Sequence, residues 1–122
     1  MSKIWQSFIK EAKREYYKIG AIKCPAFEND LVYFNKDGFN HLIRKGRKYR
    51  EKNEQERRLE LVPVVINTLT QRRTFSRYSI TQKVKNRKES TAHFWIFNDS
   101  KRRISIVVRK LNSGNKHFFS VY

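Results

Sequence analysis

Around Thr74 the chain changes period, and no other feature constrains its fold so strongly. From there on, β-branched and aromatic residues alternate with polar ones in four runs, near Phe75–Lys83, Thr91–Phe97, Ile104–Lys110 and Lys116–Val121. A period of two is the signature of half-buried strands. The separators Asn86-Arg87-Lys88-Glu89, Asn98-Asp99-Ser100 and Asn112-Ser113-Gly114-Asn115 are rich in turn-forming residues, and connections this short favour an antiparallel meander.

Upstream the period is helical. Ile4, Trp5, Phe8, Ile9, Ala12, Tyr16 and Tyr17 recur at three- and four-residue spacing, with Ser2 placed to cap and Gly20 to terminate. Cys24-Pro25 reads as extended or turning chain, and Leu31-Val32-Tyr33-Phe34 as a short apolar run of strand type. Asn35 or Asp37 caps a second helix, on which Phe39, Leu42 and Ile43 form a core face until Gly46 interrupts it. The stretch from Arg47 to Arg58 is a charged connector or an exposed helical turn. Leu59, Leu61, Val62, Val65, Ile66 and Leu69 then mark a third helical segment that Pro63 kinks or restarts. The expectation is an α+β domain over 1–122. Its helical part, about 1–72, covers one face of a four-stranded antiparallel sheet, about 74–122.

Charge narrows the function. Lys and Arg number 28 against 11 acidic residues, a formal net charge of +17 on 122 residues, and the excess runs the length of the chain. Such a surface is suited to a polyanion, because neutralising phosphates releases condensed counterions. No apolar stretch is long enough for a membrane span and no signal or lipidation motif is seen, so a cytoplasmic protein without stable membrane association is expected. Cys24 is the single cysteine, which excludes an internal disulfide and any paired-cysteine zinc motif; it reads as a small packing residue. No HExxH, three-histidine or clustered-carboxylate pattern points to a metal, and no small-molecule cofactor is expected.

Strand parity sorts the candidates. Ile104, Ile106 and Val108 form one row, leaving Arg109 on the other face with Arg103, Ser105 and Val107. In a regular last strand His117 cannot share a face with Ser120 and Tyr122; only a bulge would bring His117 and Ser120 together. Ser120, Tyr122 and Arg109 are therefore taken as solvent-face residues and His117 as a packing or supporting histidine, while an ordinary outward-facing serine remains the plain alternative for Ser120. His93, alternating with Trp95 and Phe97, reads as a half-buried aromatic-like residue. His41 lies off the apolar face of its helix, aligned with Lys45 and Lys48. Cations beside it lower its pKa, which leaves a neutral imidazole able to accept a proton, although a surface histidine that merely touches phosphate fits the same pattern.

A histidine-bearing helix ahead of a four-stranded antiparallel sheet, closed by a strand reading aromatic-Ser-x-aromatic, resembles the barnase/EndoU/colicin/RelE-like ribonuclease superfamily. Its phage-associated branch and the colicin D tRNase domain are the nearest comparisons. The resemblance runs over roughly 31–122. It matches His41 to the acid/base histidine, and Ser120 and Tyr122 to residues lining the active face. Asn40 departs from the lysine expected before that histidine, so cation delivery falls to Arg44, Lys45 or Arg109.

The resemblance implies a metal-independent RNA endonuclease of toxin type that acts on tRNA or rRNA. The substrate's 2′-hydroxyl attacks the adjacent phosphorus and leaves 2′,3′-cyclic phosphate and 5′-hydroxyl ends. His41 moves the proton, Lys45 and Arg109 stabilise charge on the phosphate, and Ser120 donates to the same group. Tyr122 and Trp95 stack on bases, and Arg44, Arg47, Lys48, Arg102 and Arg103 hold the backbone. An acidic antitoxin or immunity partner is expected on the same ground. The rival expectation is a non-catalytic nucleic-acid-binding or ribosome-associated protein in which the same cations only bind.

Overall fold

The computed structural model describes residues 3–122. The chain runs α1 (Lys3–Ile19), β1 (Ala21–Cys24), a 3-10 turn (Pro25–Phe27), β2 (Asp30–Tyr33), α2 (Lys36–Ile43), β3 (Arg44–Lys45) and β4 (Lys48–Tyr49). It continues through α3 (Lys52–Glu60), α4 (Val62–Gln71), β5 (Arg77–Lys85), β6 (Lys88–Asp99), β7 (Ile104–Leu111) and β8 (His117–Val121). The expected cap of the first helix, Ser2, lies outside the described residues.

The class is α+β, but the sheet is larger than the period change predicts. It has six strands in the order β1-β2-β8-β7-β6-β5. Strands β5 to β8 form the expected antiparallel meander, and a hairpin from the N-terminal half, β1–β2, extends it by parallel pairing of β2 with β8. The expected four-stranded antiparallel sheet is thus corrected to a mixed one. The two added strands are four residues each, and a parallel partner distant in sequence leaves no local turn signal.

Of the two readings of the charged stretch, the helical one holds and the plain connector does not. Between Arg47 and Arg58 lie β4 and most of α3, whose buried anchors are polar: Gln55 and Arg58. The Gln55 amide donates to the Ile43 and Arg50 carbonyls at 3.3 and 2.7 Å, and Arg58 Nη1 donates to the Val121 carbonyl at 2.7 Å. These bonds satisfy the end of α2 and the end of β8, which no apolar stripe could do. Pro63 sits in the first turn of α4, where its missing N–H costs nothing.

Tyr16, Phe39, Leu42, Val65 and Leu69 from the helices meet Phe97, Ile106, Val108, Phe118 and Val121 from the sheet in one core. Cys24 is fully buried among them, and burial pushes its thiol pKa up. Helix α2 approaches β8 closely at Gly38. A Cβ there would stand 2.4 Å from both the Phe118 carbonyl and the Tyr16 hydroxyl. Only a glycine lets α2 lie this near the backbone of β8. No helix among the described residues is long and apolar enough to cross a membrane.

Candidate active site

Helix α2 and strand β8 carry the site between them. Asn35 caps α2, its side chain accepting from the Gly38 amide at 3.2 Å, and the next turn presents Asp37 and His41 four residues apart on one face. Opposite them, the β7–β8 register shifts by one residue. Arg109 pairs with His117 and Val108 with Phe118, but Val107 pairs with Ser120. Phe119 is therefore the extra residue of a bulge, which turns His117, Phe119 and Ser120 to the face that carries Arg109 and leaves Phe118 and Val121 in the core. A regular strand would have separated His117 from Ser120.

Arg109 is held from three directions. Its Nη2 meets Asp37 Oδ2 at 3.0 Å, its Nε donates to His117 Nε2 at 3.0 Å, and its guanidinium carbon lies 4.1 Å from the centre of the Phe119 ring. The His41 imidazole lies against the same ring, centroid to centroid 4.0 Å, and Phe94 closes the cluster edge-on at 5.9 Å. Two of the five guanidinium N–H donors are engaged in these bonds, which leaves donors for an anion. No protein group hydrogen-bonds the His41 ring or the Ser120 hydroxyl among the described residues.

The electrostatics separate the two histidines. Burial, then Arg109 and Arg50, hold the His41 pKa below its ordinary value, with Asp37 opposing. His117 is also held low, by burial first and Arg109 second. Since a guanidinium only donates, His117 Nε2 must be an unprotonated acceptor. His117 is 5% exposed and tied to Arg109; His41 is half-buried and untied. Both are neutral near pH 7, and only His41 has a ring nitrogen available for proton transfer.

The remaining candidates fall in several places. His41 and Arg109 come together on the Phe119 ring, and Ser120 lies next to Phe119 on the face that carries Arg109. Tyr122 shares the Arg109 face, paired with Ser105. Lys45 and Lys48 do not align with His41 along a helix, because α2 ends at Ile43 and Arg44 is already extended, φ −128° and ψ 150°. They pair instead across the small β3–β4 hairpin, with Gly46, φ +63°, at its turn beside Arg47. Arg44 stacks its guanidinium 4.2 Å from the Tyr49 ring and, with Asn40, His41 and Gly46, lines a hollow of about 230 Å³. Arg102 is paired with Asp99 at 2.7 Å in the β6–β7 turn, next to Arg103.

Trp95 lies on the opposite face of the sheet from Arg109. It pairs with Val108 and packs on Phe27 at 5.2 Å, so it does not adjoin the cluster. Sequence reasoning passed over Asp37 as a cap and assigned no role to Phe119 or Phe94. The four-residue spacing of Asp37 and His41 was the one readable signal for the first; Phe119 depends on the bulge and Phe94 on the β6–β7 register. Among the described residues no group of three or more His, Cys, Asp or Glu side chains is gathered as a metal site. Comparison with family models, curated proteins and solved structures finds no match to this chain.

Proposed function

We propose that this protein is a metal-independent RNA endonuclease, on one observation above the rest: a neutral, untied imidazole and a clamped guanidinium share the Phe119 ring beside Ser120. His41 takes the proton of the attacking 2′-hydroxyl and returns one to the 5′-oxygen leaving group. With His117 committed to Arg109, a single histidine performs both transfers. Arg109 directs its remaining donors at the phosphate as charge grows there, pre-aimed by Asp37 and His117, and Ser120 adds a hydrogen bond. Bound phosphate raises the His41 pKa and so favours the return step.

Phe119 and Phe94 offer a face on which a base stacks, with Tyr122 further along the same side. Arg44, Lys45, Arg47 and Lys48 on the β3–β4 hairpin, with Arg102 and Arg103, hold the flanking backbone. The resemblance to the barnase/EndoU/colicin/RelE-like superfamily is compatible with this placement of a helix histidine over the last strand. The fold then reads as a variant of that plan, with β1–β2 added to the meander. A toxin role, tRNA or rRNA as target, an acidic inhibitor partner and action in the cytoplasm follow from the same proposal.

The test is incubation of purified protein with total tRNA and rRNA in EDTA, followed by end-group chemistry. Cyclic phosphate ends from wild type, and none from His41→Ala at equal RNA affinity, are expected. Salt-dependent binding without product would favour the non-catalytic binder, and equal cleavage by both proteins would remove His41 from the reaction.

A further inference from the structure

The β5–β6 hairpin stands out from the sheet. Beyond Ala92, which pairs with the last residue of β7, it is a two-stranded ribbon exposed on both sides. From the Thr81–Ala92 pair to the Lys85–Lys88 pair it extends four residues, roughly 13 Å at strand rise. Register assigns its faces. Arg77, Thr81, Lys83, Lys85, Lys88 and Ser90 lie on the side of Phe94, the side that continues into Arg109 and Ser120. Tyr78, Ile80, Val84 and Glu89 lie on the other. The ribbon's only acidic residue is thus kept off the face that adjoins the site.

Stability does not account for these choices. A lone two-stranded ribbon is marginal in water, and Lys85 directly opposite Lys88 adds like-charge repulsion. At the tip, Arg87 is held at φ +63° behind Asn86 at φ +54°, the two-residue turn in which glycine is the favoured second residue. A cation is therefore kept where a smaller residue would relieve strain. An extended anion along the ribbon would be compensated by all of these residues at once.

We infer that the ribbon is an arm for the phosphate backbone of a double-helical RNA segment adjoining the cleaved nucleotide. The inference rests on the ribonuclease proposal for the position of the cleavage site. Along the arm itself this side carries no aromatic side chain beyond Phe94 at its base, whereas proteins that track single strands interleave stacking residues with cations. Lys83 and Lys85 on one strand and Lys88 on the next suit the two backbones bordering a groove, the contact by which duplex RNA is held irrespective of sequence. The substrate class is accordingly RNA with an unpaired cleaved residue flanked by a stem.

The experiment compares a stem-loop RNA with a single strand of the same loop sequence, using the full chain and the variant Lys83→Ser/Lys85→Ser/Lys88→Ser. KM for the stem-loop should rise about tenfold or more, with the slope of log affinity against log salt smaller by about 2 to 3, and the single strand should be far less affected. Equal losses on both RNAs, or no loss on the stem-loop, would overturn the arm. Arg87→Gly supplies a second arm-specific readout: a higher Tm with weaker stem-loop binding is expected, and unchanged binding counts against the proposal. If wild type cuts nothing, the active-site proposal fails by itself; stem-loop preference in direct binding, lost in the variant, would still support the arm, and its retention would refute it.

Discussion

Replacing Gly38 by alanine tests the contact that brings α2 to β8. In an open helix the change would stabilise by about 1 kcal/mol. Here the new methyl would lie 2.4 Å from the Phe118 carbonyl and from the Tyr16 hydroxyl, and 2.8 Å from the Phe118 ring, about 1 Å or more inside optimal contact. Neither neighbour yields easily. Phe118 belongs to a strand paired within the sheet, and the Tyr16 hydroxyl, on a side chain 2% exposed, donates to the Asn35 carbonyl at 2.7 Å. Overpacking costs roughly 1–3 kcal/mol, and loosening the tyrosine bond adds about 1–3 kcal/mol. After the helix-propensity gain of about 1 kcal/mol, the net expectation is a loss of roughly 1–5 kcal/mol, read in urea titrations as a lower midpoint at unchanged slope. Because Asp37 and His41 flank the substituted position, RNA cleavage should fall further than the folded fraction does. A variant as stable as wild type would refute the packing account of α2.

Arg109→Lys keeps the charge but cannot bridge Asp37 and His117 with one planar fork; cleavage should fall by about 10²-fold or more with RNA affinity nearly retained, and wild-type turnover would show that charge alone suffices. Phe119→Leu removes the ring shared by His41 and Arg109 while keeping apolar bulk, so a stability change within about 1.5 kcal/mol and a marked loss of cleavage are expected; single-turnover assays beside urea midpoints decide it. His41 and His117 both titrate below their ordinary value of 6.5 in the folded protein, so the unfolded chain binds more protons in that window. Stability is then full above about pH 6.5 and declines as pH falls toward the folded values. Urea midpoints between about pH 7.5 and 5 should show the decline weakened in His117→Gln, and a parallel decline in that variant would exclude His117 as a source.

The meander was legible because its turns are local. Asn86-Arg87 and Asn112-Ser113-Gly114 mark chain reversals within a few residues, and the alternation around Ile104, Ile106 and Val108 correctly assigned the core face of β7. The β2–β8 pairing was not legible, since Tyr33 and His117 meet without any intervening turn that specifies them. Placing Lys45 on the His41 helix failed because nothing in Ile43-Arg44-Lys45 announces that the helix stops there; the stop comes from Gln55 and Arg50, which take up its carbonyls. Parity alone set Ser120 against His117, and the one-residue shift at Phe119 reversed that. Trp95 shows the complementary limit: its alternation was visible, but only cross-strand register reveals that it lies with Val108 and away from Arg109.

Strand β8 sits between β2 and β7, which gives folding an order. The β5–β6–β7 meander closes only short loops and is expected to assemble ahead of the docking of β8 on β2, which must first overcome the entropy of joining Tyr33 to His117. Until that late step, α2 has no backbone to lean on at Gly38, and His41 has no Phe119. On the ribonuclease proposal, RNA binding by the cationic ribbon is then expected to return during refolding before RNA cleavage does.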